Sequence, residues 1–159
     1  MYNKNKLVIG IGNPFRGDDG AGLILAAMLR ARDLPGTVLI EANGDVSGLM
    51  DAWKDAAEVI LVDAVFSGAK AGTIFRFDAS HHPLPRETFA SVSTHSFSLA
   101  DSIELARALG QLPAKVIVYG IEGKDFSAHT GLTPEVERAT NEALKRILAD
   151  VGVAVVSES

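Results

Sequence analysis

Asp19, Asp63 and His95 are the side chains in this sequence whose types and positions point to shared chemistry. Asp19 lies in the glycine-rich stretch from Gly10 to Gly22, which follows an apolar segment and opens a helical pattern. Asp63 ends the apolar run Val59-Ile60-Leu61-Val62, and His95 sits in Ser93-Thr94-His95-Ser96 ahead of another helical pattern. In an open α/β sheet, ligands bind where strands end and helices begin. Two carboxylates and an imidazole reaching that edge from distant parts of the chain make a divalent-metal site, with hard oxygen and borderline nitrogen donors. Each residue also has a structural reading. Asp18 beside Asp19 reads as a helix cap, Asp63 as a turn initiator, and His95 as a polar residue near a helix start.

The elements that must position these residues alternate between strand and helix. Strand one spans residues 7–11, and helix one covers roughly 20–32, with Leu25, Met28 and Leu29 on one face and Leu23 and Ala27 beside them. Pro35-Gly36 turns the chain into strand two, Val38-Leu39-Ile40. Asp45 or Ser47 starts a short helix carrying Leu49, Met50 and Trp53. Strand three is Val59 to Val62 and strand four Thr73 to Phe77. The segment between them is too short for a parallel crossover, which needs about a dozen residues, so the two are expected to pair antiparallel. A polar loop over residues 79–92, with His81, His82, Pro83 and Pro85, has the length of a functional flap. Helix three begins near Ser96 and presents Leu99, Ile103, Ala106 and Leu109 before Gly110. Strand five is residues 116–119. Thr133 then caps a last helix to about Ala149, with Pro134 in its first position and Glu135 and Glu137 in its first turn. The expected fold is a three-layer α/β/α sandwich around a mixed, mostly parallel five-stranded sheet.

Composition excludes several function classes. At 159 residues the chain reads as one domain over 1–159, with 47% apolar and 22% charged residues. It has no cysteine, which removes thiolate metal sites, disulfides and cysteine nucleophiles. A net charge of −5 argues against nucleic acid. The apolar runs are of strand length, so no membrane span is expected. Lys4 and Lys6 precede Leu7-Val8-Ile9, but Gly10 and Asn13 interrupt the run, which reads as a first strand rather than a signal peptide. A cytoplasmic location is expected.

Two motifs are decoys. Gly10-x-Gly12 imitates a dinucleotide-binding turn, but the third glycine would fall at Phe15, and Glu41 lies too far along to be the ribose-binding acid. Asp18 and Asp19 would also repel a pyrophosphate at the helix N-terminus. Ser67-Gly68-Ala69-Lys70 fits a Ser-x-x-Lys pattern, yet it falls in the expected hairpin connection and reads as a turn.

The order and spacing of several segments resemble the [NiFe]-hydrogenase maturation proteases, over nearly the whole chain. These are Val8-Ile9-Gly10-Ile11-Gly12-Asn13, Asp18-Asp19-Gly20-Ala21-Gly22, Leu61-Val62-Asp63-Ala64, Ser93-Thr94-His95, Val118-Tyr119-Gly120-Ile121-Glu122 and Gly131-Leu132-Thr133-Pro134-Glu135-Val136. The resemblance implies a phosphorylase/hydrolase-like sandwich and a nickel-responsive endopeptidase. Such an enzyme removes the C-terminal extension of a hydrogenase large-subunit precursor after nickel insertion. Its metal residues would be Asp19, Asp63 and His95, with Asp19 and Asp63 as the catalytic acids. The nickel would arrive with the substrate, and other divalent ions could substitute. Either the metal polarises the scissile carbonyl or activates water, or it docks the substrate and leaves a carboxylate as base.

Some members carry an Asp-Gly-Gly-Thr-type segment after strand two, where this chain reads Glu41-Ala42-Asn43-Gly44-Asp45. Glu41, Gly44 and Asp45 are therefore expected to contact substrate and select the precursor. The other reading makes Gly44 a tight turn and Asp45 a helix cap. A non-catalytic metal-sensing or scaffold module on the same fold is the alternative function.

Overall fold

The computed structural model describes residues 6–43, 48–89 and 98–152. Five strands, β1 (Lys6–Ile11), β2 (Thr37–Ala42), β3 (Glu58–Val65), β4 (Ile74–Asp78) and β5 (Lys115–Glu122), form one sheet in the order β2-β1-β3-β5-β4. All neighbours are parallel except β4, which pairs antiparallel with β5. The helices are α1 (Ala21–Arg30), α2 (Leu49–Ala52), α3 (Leu99–Ala108) and α4 (Pro134–Asp150).

The alternation of side chains along each strand sorts the core into two layers. Leu7, Ile9, Val59, Leu61, Val116 and Val118 face Leu49, Trp53, Leu99 and Ile103 of the α2/α3 side. Val8, Ile60, Val62, Ile117, Tyr119 and Ile121 face Leu25, Leu29, Val136, Leu144 and Ile147 of α1 and α4. The central strands are buried on both faces, as a parallel sheet covered by helices requires. The hydroxyl of Tyr119 is satisfied inside that second layer by Asp150 and by Arg76, which itself pairs with Asp150 at 2.8 Å. Among the described residues no helix is long and apolar enough to cross a membrane.

Several local expectations are corrected. β3 and β4 do run in opposite directions, but β5 lies between them, so Ser67 to Lys70 sits in a connection that passes over β5 rather than in a hairpin. The ladder of β3 with β5 continues through Asp63↔Gly120 to Val65↔Glu122, so Asp63 lies inside the strand and not at its end. Helix one starts at Ala21, after a short 3₁₀ turn over Gly17–Gly20. Ala27 and Leu109 are exposed and take no part in the core. α3 is started by Ser98, whose hydroxyl accepts the Asp101 amide while Asp101 accepts the Ser98 amide, a reciprocal capping box. The expected start of α2 at Asp45 or Ser47 lies outside the described residues.

Residues 79–89 do not form a loose flap. Leu84 and Phe89 are buried in the α2/α3 layer. The guanidinium of Arg107 donates to the backbone carbonyls of Ala79, Ser80 and His82 at 2.9–3.2 Å.

Candidate active site

At the C-terminal edge of the parallel strands α1 packs tightly onto the sheet. A Cβ built on Gly22, in the first turn of α1, would lie 2.5 Å from the carbonyl oxygens of both Ile11 and Val62. Only a glycine lets the helix backbone seat directly on β1 and β3 at these two residues. That seating brings the turn before α1, which carries Asp19, beside the C-terminal half of β3, which carries Asp63.

The two carboxylates feel each other. Burial, and secondarily the charge on Asp19, push the Asp63 carboxyl up to about 8, against a smaller lowering by the Ala64 amide. Asp19 is raised by burial, partly offset by the Asn13 amide and the positive charge of Arg16. The Asn13 amide donates to Asp19 at 3.0 Å. Negative charge therefore settles first on Asp19, and Asp63 keeps its proton at neutral pH. A desolvated acid beside a second acid is the arrangement that a cation relieves. Among the described residues no group of three or more His, Asp and Glu side chains could hold a metal ion. The third expected ligand, His95, lies outside the described residues.

Asp18, one residue away, does something else. It is fully buried. Its carboxylate accepts the amides of Lys124 (2.8 Å), Asp125 (2.9 Å) and Thr133 (2.8 Å), and the Thr133 hydroxyl at 2.9–3.1 Å. Burial alone would raise it, but these donors together hold it below the usual carboxylate range. With both oxygens occupied by protein donors, Asp18 does not serve as a ligand. Thr133 is correspondingly no side-chain cap for α4: its hydroxyl serves Asp18.

Glu41 stands apart from the acid pair. Strand alternation puts Ile40 and Ala42 against the α2/α3 layer and Leu39 against the other, so Glu41 faces α1. There it meets Arg30 at 3.1 Å, with both side chains about half exposed. Asp63 has the parity of Leu61 and Val65 and belongs to the opposite face. Gly44 and Asp45 lie outside the described residues. Ser67 is engaged by the buried Glu122, which accepts its amide and its hydroxyl.

Comparison with known proteins identifies the lineage. The family model for hydrogenase maturation protease, HycI, matches residues 24–150. The chain belongs to the hydrogenase maturation protease family. The matched span contains Asp63 and His95 and begins after Asp19. The hydrogenase 2 maturation protease of Escherichia coli is 28% identical over 90% of this chain and 88% of its own. The coenzyme F420 hydrogenase subunit delta of Methanothermobacter thermautotrophicus is 30% identical over 96% of this chain and 98% of its own. In structure, this maturation protease family member superposes on the hydrogenase maturating endopeptidase HybD from Escherichia coli with a TM-score of 0.78. The superposition shares 29% identity and covers 92% of this chain and 91% of that one. The five-stranded α/β fold is thus the fold of these proteases. Sequence reading missed Asn13 as the partner of Asp19 and Thr133 as the partner of Asp18. Neither pairing has a local sequence signal.

Proposed function

We propose that this protein is an endopeptidase that removes the C-terminal extension of a [NiFe]-hydrogenase large-subunit precursor after nickel insertion. In this reading the nickel is part of the substrate, and Asp19, Asp63 and His95 recognise it. The observation that carries the reading is the Asp19–Asp63 pair, two desolvated acids at one sheet edge in a chain of this family. A divalent ion takes the place of the proton on Asp63 and neutralises the repulsion between the acids. With the precursor's metal held there, the scissile bond lies at the same edge, and a carboxylate can accept a proton from the attacking water. Processing is assigned to the cytoplasm.

The decisive experiment incubates the protein with nickel-loaded precursor and follows the precursor by mass. Loss of a C-terminal peptide, with metal-free precursor left uncut, is expected. An intact precursor held in a stable complex would replace the protease by a scaffold. His95→Ala is expected to abolish processing with little change in melting temperature. Normal processing by that variant would remove His95 from the site.

Ion binding should follow the proton on Asp63. Below about 8 the ion must displace that proton, so each unit of rising pH is expected to tighten Ni²⁺ binding by about tenfold, levelling above about 8. Calorimetric titration of Ni²⁺ between pH 6 and 9 reads this directly. A flat profile across that range rejects Asp63 as a ligand.

A further inference from the structure

We propose that Asp18 is the positioning residue of the site. It fastens the turn that presents Asp19 to the loop between β5 and α4, so that ion recognition depends on a loop that contributes no ligand. The inference rests on the reading of Asp19 as a ligand, and its test separates the two.

The turn carrying Asp19 is lightly held by its own segment. Within it the Asp19 amide donates to the Arg16 carbonyl at 3.1 Å, and the Arg16 amide to the Asn13 carbonyl at 3.2 Å. Among the described residues the Asp19 side chain has one hydrogen bond, from the Asn13 amide. Four residues of 3₁₀ turn would not fix a carboxylate by themselves, since such turns have poor hydrogen-bond geometry. The attachment comes from across the chain. The Gly17 amide donates to the His129 carbonyl at 2.7 Å, and the Asp18 amide to the Asp125 carbonyl at 2.9 Å. The Asp18 carboxylate gathers the Lys124, Asp125 and Thr133 amides and the Thr133 hydroxyl. Charge-assisted bonds to a buried carboxylate are the strong kind, and losing one leaves buried donors unpaired. With Asp18 turned fully into that loop, the next residue is directed to the other side, toward Asn13 and Asp63. Asp18 touches neither substrate nor ion in this arrangement; it acts through Asp19.

Asp18→Asn is nearly isosteric, but its amide group sets a donor against amide donors. Thr133→Val removes only the hydroxyl bond, and Thr133→Ser keeps it. Hydrogen exchange at the Asn13 amide reports whether Asp19 is in place, independently of any metal. The Val8 and Ile9 amides, in the central ladder, report the stability of the fold.

In folded Asp18→Asn, Asn13 exchange is expected to accelerate at least tenfold relative to Val8 and Ile9, and Ni²⁺ affinity to fall at least tenfold. Thr133→Val should show the same selective change at a few-fold, with Thr133→Ser indistinguishable from the unaltered protein. Should Asp18→Asn fail to fold, Thr133→Val carries the decision. Equal acceleration at all three amides, or unchanged Asn13 exchange, overturns the proposal, because either result means Asp18 only supports global stability or nothing at all. Failure of the unaltered protein to bind Ni²⁺ would instead overturn the ligand reading, and the Asn13 comparison would still decide the positioning role.

Discussion

Asp63→Asn is expected to lower precursor processing by about 100-fold or more while making the metal-free protein more stable. The opposite signs follow from one cause. In the unfolded chain Asp63 loses its proton near its ordinary value of about 3.9, whereas in the fold it keeps the proton up to about 8. Between those limits the folded state binds more protons than the unfolded one, so the native protein loses stability as pH rises. Below about 4 Asp63 costs nothing, and above about 8 the loss is complete. The neutral amide avoids this, so the variant's advantage should be absent at pH 4, grow through neutrality to a few kcal/mol, and level off above about 8. Denaturant unfolding of both proteins from pH 4 to 9 measures it, alongside processing of nickel-loaded precursor. A variant that is active, or one whose stability advantage does not change with pH, would show that Asp63 is neither the strained acid nor a working one. A site that is costly to the empty fold is a common trade of stability for activity.

Gly12→Ala is expected to disable the protein from the other side of the acid pair. A Cβ on Gly12 would stand 1.9 Å from the carbonyl oxygen of Asp19. That oxygen is backbone, so no rotamer change can clear it; the turn carrying Asp19 must move. The Gly12 amide is already committed to the Ala42 carbonyl at 2.9 Å, which anchors β1 and leaves the turn to yield. Overpacking of this kind costs about 1–3 kcal/mol, and Ni²⁺ affinity should fall at least tenfold as Asp19 leaves the Asn13 amide and Asp63. Gly48→Ala is the control, since none of the described residues lies within 4 Å of a Cβ there, and its stability should stay within about 0.5 kcal/mol. A Gly12→Ala protein with unaltered stability and ion affinity would mean that the turn has slack and that Asp19 is not held where the fold puts it.

Both predictions concern residues that the sequence already singles out, and much of their setting is legible there too. Continuous apolar runs mark β1, β3 and β5, and Pro134 with Glu135 and Glu137 marks the start of α4. These are local signals, decided by residues within one or two turns of each other. The resemblance to a known family, read from short segments in order, is borne out by the family match and by the fold.

What the sequence by itself determined, then, is the strand and helix pattern, the family, and the acids worth attention. The tertiary structure decided the rest, for reasons that lie in contacts across long chain separations. The place of β5 between β3 and β4 is one such decision, because strand pairing depends on which edges are free and not on connection length alone. The sidedness of Glu41 is another, set by the parity of an edge strand and by Arg30 on α1. The sharpest is the division between Asp18 and Asp19. The two are identical in type and adjacent in sequence. One is surrounded by amides from residues more than a hundred positions away and the other faces a second carboxylate, so one is held charged inside the fold and the other is raised by its burial.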